Sequence, residues 1–219
     1  MLPKLVIFDC DGVLVDSEII ANDVIVRSLA HYGLTISAEV CMDLFVGTSD
    51  AYVKTTAEQM GAQLPDNWLA EIDTETYARL KQGVPIVAGV VDIIDRLDTL
   101  DVPYCVASNG SEDKMAITLG QNGLLERFQS AMFSAHTLGI SKPDPELFLH
   151  AASIFKVNPQ DCIVIEDSPS GVIAARRARM KCYGYAPHND GQKLAKEGAE
   201  VFHTMVNIPV FWEFKAYRS

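Results

Sequence analysis

The stretch Leu5-Val6-Ile7-Phe8-Asp9-Cys10-Asp11-Gly12 decides the fold, because four consecutive apolar residues run straight into acid. A run with no polar alternation has no solvent face, which suits a strand covered on both sides in a parallel sheet. From about Glu18 to Gln82 the texture changes to helical, with no good strand. Ile19, Ile20, Val24, Ile25, Leu29 and Tyr32 recur at three- and four-residue intervals, and Gly33 supplies a C-terminal stop. Further helices are expected near Ala38 to Phe45, Asp50 to Met60 and Asp66 to Leu80, making a helical bundle. After Pro85 the chain alternates. Helices are expected near Val90 to Leu100, from Ser111, at Pro145 to Phe155 and near Gly171 to Ala178. Strands are expected at Tyr104 to Ala107, Ala131 to Phe133, Cys162 to Ile165 and Lys181 to Tyr185, with a weak one around Val201. Such alternation predicts an α/β fold with a doubly wound parallel sheet. The helical block separates the first strand from the rest, so residues 1–15 and 84–219 are read as the α/β core and 16–83 as an inserted helical domain.

The remaining composition narrows the function. The 219 residues are 48% hydrophobic and 21% charged, enough for a substantial core, and the length suits one full domain plus a smaller one, or one large domain. Apolar runs such as Leu5 to Phe8 and Ile163 to Ile165 fall far short of the roughly 18 residues needed to span a bilayer, and no signal-peptide pattern follows Met1. A cytoplasmic location and no membrane partner are expected. Lys and Arg number 18 against 29 Asp and Glu, a formal charge of −11, which disfavours broad attraction to nucleic acid. An anionic substrate would need locally concentrated positive charge. Cys10, Cys41, Cys105, Cys162 and Cys182 lack metal or disulfide spacing and are read as buried reduced thiols.

In open α/β sheets ligands bind beyond the carboxyl ends of the strands. Those ends carry Asp9 and Asp11, then Ser108 and Asn109, then Lys142 in Ser141-Lys142-Pro143-Asp144-Pro145, then Glu166 and Asp167. One such group is ordinarily a cap or a loop residue; four polar ends together argue for a shared site. Carboxylates at Asp9 and Asp167 can jointly hold a hard cation such as Mg²⁺. An ionised Asp9 can act as nucleophile, and Asp11, two residues on at the strand-like spacing that returns a side chain to the same side, as general acid and then base. Ser108, Asn109 and Lys142 offer donors and a positive charge for a phosphoryl group. These are the requirements of phosphoryl transfer.

Phe8-Asp9-Cys10-Asp11-Gly12-Val13-Leu14-Val15-Asp16-Ser17-Glu18 resembles the first motif of the haloacid dehalogenase superfamily, specifically of its phosphatases. In family order, Ala107-Ser108-Asn109-Gly110 is similar to the second motif, Lys142-Pro143-Asp144-Pro145 to the third, and Ile165-Glu166-Asp167-Ser168 with Gly171 to the fourth. The resemblance spans about the whole chain and implies a Rossmann-like core with a type 1 helical cap inserted after the first motif. It also implies roles. Asp9 would be nucleophile and metal ligand, and Asp11 the acid and base with its backbone carbonyl on the metal. Ser108 would bond the phosphoryl group and Lys142 would pair with Asp9 and that group. Asp167 would be a direct ligand, and Glu166 a ligand or a partner behind it.

Within the family the presence of Asp11 argues against dehalogenases and phosphonoacetaldehyde hydrolases, and the lack of a membrane span against transport ATPases. Phosphatases and β-phosphoglucomutase-like mutases remain. Mutases of the family carry a His shortly after the first motif and a phosphate-gripping Arg in the first cap loop. Here Ala21 and, in Gly47-Thr48-Ser49-Asp50, the acid Asp50 stand at the corresponding places, which favours the phosphatase. A non-catalytic phosphate-binding role is the weakest reading, because every expected group is intact. Ser108-Asn109-Gly110 through Lys114-Met115 resembles sugar-acid and sugar-phosphate phosphatases, so the expected partner is a small phosphorylated sugar or sugar acid, with 6-phosphogluconate a candidate. Of the cap's Arg27, Lys54, Arg79 and Lys81, Arg79 is the candidate for substrate contact, and Lys54 is read as part of a solvated helix face. The five histidines show no ligand spacing. Arg176-Arg177-Ala178-Arg179 is read as a helix terminus that need bind nothing, and Phe211, Trp212 and Phe214 as a packed terminal helix. A monomer or weak homodimer is expected.

Overall fold

The computed structural model describes residues 2–45 and 50–208. Gly47, Thr48, Ser49, Phe211, Trp212 and Phe214, on which some of the expectations above rest, lie outside the described residues, as does the side chain of Asp50. The chain divides into two compact units. One comprises the residues up to Val15 and those from Pro85 onward; the other is Asp16–Val84.

The first unit opens with β1 (Leu5–Phe8), each of its residues fully buried. The second unit holds α1 (Ser17–His31), α2 (Ala38–Phe45), α3 (Asp50–Gln59) and α4 (Trp68–Leu80). The first unit resumes with α5 (Val90–Thr99), β2 (Tyr104–Ser108), α6 (Glu112–Gly120), α7 (Leu125–Phe128), β3 (Met132–Ser134) and α8 (Ala135–Leu138). It continues with α9 (Glu146–Ile154), β4 (Cys162–Glu166), α10 (Pro169–Arg177), β5 (Lys181–Tyr185), α11 (Gln192–Glu197) and β6 (Glu200–Phe202). The short helices α7, α8 and α11 leave no readable periodicity, because four to six residues complete little more than one turn.

Strand order is β3-β2-β1-β4-β5-β6, with every neighbouring pair parallel. This is the doubly wound order, with its switch point between β1 and β4, where Ile7 registers with Val164 and Phe8 with Ile165. The carboxyl ends of β1, β2 and β4 therefore lie side by side. Alanine-rich faces of α9 and α10 close the sheet: Leu147, Phe148, Ala151, Val172, Ala174 and Ala175 are completely buried with Leu5, Ile7, Cys105 and Val164. In α5 the residues Val90, Ile93, Ile94 and Leu97 are buried at helical spacing, while Asp92, Asp95 and Asp98 stay out.

The helical unit has its own core. Trp68 is completely buried among Leu29, Cys41, Phe45, Val53 and Ala57, and its indole N–H donates to Ser28 Oγ at 2.8 Å. Lys54, expected on a solvated face, instead donates to the carbonyls of Pro65 and Asp66 at 3.1 Å each, fixing the turn before α4. All five cysteines are buried free thiols; burial pushes Cys41 and Cys162 up to about 11 and Cys10 and Cys105 well above the ordinary thiol value. No helix among the described residues is long and apolar enough to cross a membrane.

Candidate active site

Asp9 follows the last residue of β1, and its backbone N–H donates to Ile165 O at 2.9 Å, tying it to the end of β4. There Glu166 is fully buried and Asp167 partly so. One carboxylate oxygen from each of Asp9, Glu166 and Asp167 falls within a group whose members all lie within 4.8 Å of one another. Into this group comes Lys142, with 2% side-chain exposure. Its ammonium donates to Asp9 Oδ1 and Glu166 Oε1 at 2.6 Å each and to Ala107 O at 2.9 Å. Three acceptors take the three ammonium hydrogens. Lys142 therefore acts here as a fixed charge among the three acceptors. The Lys142–Pro143 peptide is cis.

The protonation pattern follows from burial and charge. Burial alone would lower Lys142, but the Asp9 and Glu166 carboxylates outweigh it and hold the lysine above its ordinary value. For Asp9, burial raises the carboxyl to about 7, with Lys142 pulling down and Glu166 pushing up. Three carboxylates against one ammonium leave a local charge of about −2 when all are ionised, and an oxygen-lined site of that charge fits a hard divalent cation.

Glu166 is the underside of the site. Its Oε2 accepts from Asp167 N, Ser168 N and Ser168 Oγ at 3.0, 3.0 and 2.8 Å, while Oε1 is held by Lys142. With both oxygens committed, Glu166 orients Lys142, whereas Asp9 and Asp167 remain better placed to hold a metal. Ser168 also caps α10 by accepting from Gly171 N at 3.1 Å. A Cβ on Gly171 would lie 1.8 Å from Glu166 Oε1, and one on Gly12, whose φ is +76°, 1.9 Å from Asp167 Oδ2. Side-chain-free backbone is needed at both places. Gly171→Ala is expected to cost about 1–3 kcal/mol, as overpacking of a well-filled core does, because Glu166 has nowhere to move. Denaturant unfolding checks this; a stability equal to wild type would show that Glu166 shifts freely.

The end of β2 supplies Ser108, whose Oγ accepts from Gly110 N at 3.1 Å and keeps its hydroxyl hydrogen to donate. Asn109, expected to contact substrate, accepts from Lys142 N through Oδ1 at 2.9 Å and so anchors the lysine loop. That loop is also fixed by Arg177, which donates to Pro143 O at 2.9 Å, so part of the basic run does bind something: the protein itself. Ser134, not singled out in the sequence, registers with Ser108 and donates to Gly110 O at 2.7 Å.

Asp11 is carried by a turn rather than by the strand. β1 ends at Phe8 and the chain turns at Gly12, with Gly12 N bonded to Val15 O and Leu14 N to Cys10 O, so strand-like alternation does not carry on to Asp11. Its carboxylate is not part of the acidic group; Oδ2 accepts instead from Lys114 Nζ at 2.8 Å. The pairing joins residues 103 positions apart, which local spacing cannot reveal. Arg79 belongs to the helical unit, where it donates to Asp23 Oδ2 at 3.0 Å while Arg27 holds Oδ1.

Residues 6–185 match the model of a family described as haloacid dehalogenase-like hydrolase. The chain belongs to that family. It is 28% identical over 218 residues to 6-phosphogluconate phosphatase of Escherichia coli (strain K12), covering 98% of this chain and 96% of that protein. Among solved structures, a conserved haloacid dehalogenase-like protein from Agrobacterium tumefaciens str. C58 superposes with a TM-score of 0.87 at 35% identity, covering 97% of this chain and 99% of the other. A family hydrolase from Deinococcus radiodurans R1, solved with bound phosphate and sodium, gives 0.82 at 29% identity over 93% and 92% of the two chains.

Proposed function

We propose that this chain is a Mg²⁺-dependent phosphatase that hydrolyses a small sugar phosphate or sugar-acid phosphate through an aspartyl-phosphate on Asp9. It is a phosphoric monoester hydrolase. The observation that carries the reading is the buried Asp9 carboxylate gripped by Lys142 within a group of three carboxylates at the strand ends. The chemical class of the substrate is supported by similarity to the 6-phosphogluconate phosphatase, which makes 6-phosphogluconate the first compound to try.

A divalent cation held by Asp9 and Asp167 would neutralise charge on the phosphoryl oxygens. The chain's own residues supply the rest. Lys142 holds Asp9 Oδ1, so Oδ2 is assigned the attack on phosphorus. As that bond forms, the bond from phosphorus to the leaving oxygen breaks and the leaving oxygen takes a proton from Asp11. Ser108 donates its hydroxyl hydrogen to a phosphoryl oxygen, and Lys142 keeps the attacking carboxylate fixed and its charge balanced. Water then attacks phosphorus, giving a proton to Asp11, and inorganic phosphate leaves as the Asp9 carboxylate is restored. Arg79 is the helical unit's candidate for a contact with the leaving group.

The test is phosphate release from sugar phosphates, sugar-acid phosphates and phosphoglycolate, with and without Mg²⁺, using Asp9→Asn as the blank. Mg²⁺-dependent release from a few related compounds, absent in the blank, is expected. Folded protein that releases no phosphate but isomerises β-glucose 1-phosphate in the presence of its bisphosphate would replace the phosphatase by a mutase.

A further inference from the structure

We propose that Lys114 is a positioning residue that holds the Asp11 carboxylate in its working orientation, a role that rests on the acid–base reading of Asp11 given above. Asp11 sits beyond the end of β1, in the turn around Gly12. Lys114, by contrast, is rooted in the first turn of α6, where its backbone N–H donates to the capping Ser111 Oγ at 3.2 Å. Its ammonium reaches Asp11 Oδ2 at 2.8 Å, with both side chains about a quarter exposed.

The surroundings give this pair its meaning. An ideal Cβ on Gly110 would lie 3.4 Å from Lys114 Cδ, 3.4 Å from Ser108 Oγ and 3.7 Å from Asp11 Oδ2. The lysine stem, the hydroxyl assigned to the phosphoryl group and the carboxylate assigned to the proton thus enclose one small space. Lys142 is engaged elsewhere, donating to Asp9, Glu166 and Ala107. Partly exposed ion pairs contribute little to stability, so the value of this one lies in geometry. A displacement of about 1 Å at a reacting group can cost on the order of 100-fold in rate.

The experiment measures kcat and KM of the full chain with Mg²⁺ for Lys114→Met, Asp11→Asn, their double variant and Lys114→Arg. Two substrates are used: the best alkyl phosphate of the panel and p-nitrophenyl phosphate, whose leaving oxygen departs without needing a proton. Lys114→Met is expected to lower kcat for the alkyl phosphate about 10- to 100-fold with KM within about twofold, and to cost less on the aryl phosphate. The double variant should be no slower than Asp11→Asn alone, because a residue acting through Asp11 has nothing left to position. Lys114→Arg should recover most of the loss. Thermal unfolding of each variant confirms a folded protein, and Lys114→Gln replaces the Met variant if that one fails to fold. Losses that multiply in the double variant, or a raised KM at unchanged kcat, would overturn the assignment and make Lys114 a phosphate contact. An Asp11→Asn enzyme as fast as wild type on the alkyl phosphate would instead sink the acid–base reading itself.

Discussion

Replacing Asp9 by asparagine is expected to abolish phosphate release, by about 10⁵-fold or more, while leaving the protein folded. The magnitude is the scale seen when a covalent nucleophile is removed. The fold survives because the amide keeps the shape of the carboxylate, and its oxygen can still accept the Lys142 hydrogen bond now made at 2.6 Å. Burial pushes Asp9 up to about 7, so the wild-type carboxyl carries a burial cost once ionised. The sign is that of a raised acid: any stability tied to it is present below the unfolded value of 3.8 and is lost as pH rises through about 7. The neutral asparagine removes that loss, so at pH 8 without metal the variant should unfold at a temperature no lower than wild type. Phosphate release and thermal unfolding on one preparation test both halves. Residual turnover within about tenfold of wild type would exclude Asp9 as nucleophile, since removing a covalent nucleophile cannot cost so little.

The parts of this picture readable in the sequence are those that depend on local pattern. Leu5 to Phe8 is apolar without interruption, and a strand flanked by two others in a doubly wound sheet has to be. Helices of eight residues or more repeat their buried positions often enough to be seen, as α5 does with Val90, Ile93, Ile94 and Leu97. Strand ends then point to the site because topology brings them together, whatever the loops do. What was not legible depends on contacts across the chain. Nothing near Asn109 says that its carbonyl oxygen belongs to the backbone of Lys142, 33 positions away. Nothing near Glu166 says that it is encircled by Lys142, Ser168 and the N-terminus of α10, though Gly171 close by is a trace of that crowding. The spacing of Asp9 and Asp11 does not reveal what holds Asp11 in place. It is strand-like, but the strand has already ended, and Asp11 takes its orientation from a lysine on α6.

Lys142 carries the second large prediction, because it is at once the charge of the site and its structural keystone. Its side chain is 2% exposed, and its two ionic partners are 11% and 0% exposed. Lys142→Met fills much of the same volume but removes the positive charge, leaving two carboxylate oxygens facing each other across an apolar side chain. Breaking a buried ion pair from one side in this way costs about 3–5 kcal/mol, most of it the desolvation of the charge left behind. Turnover should vanish as well, since Asp9 loses both its anchor and its countercharge. The two effects separate in the double variant Lys142→Met with Glu166→Gln. There the fully buried carboxylate becomes a neutral amide whose oxygen can still accept from the Asp167 and Ser168 N–H groups that now serve Glu166 Oε2 at 3.0 Å each. Stability should return by 1 kcal/mol or more, on the order of what satisfying a buried polar group is worth, while activity stays absent. Urea unfolding and phosphate release decide between the outcomes. If the single variant were as stable as wild type, the pair would be energetically idle, and Glu166 would be better understood as a metal ligand than as the holder of Lys142.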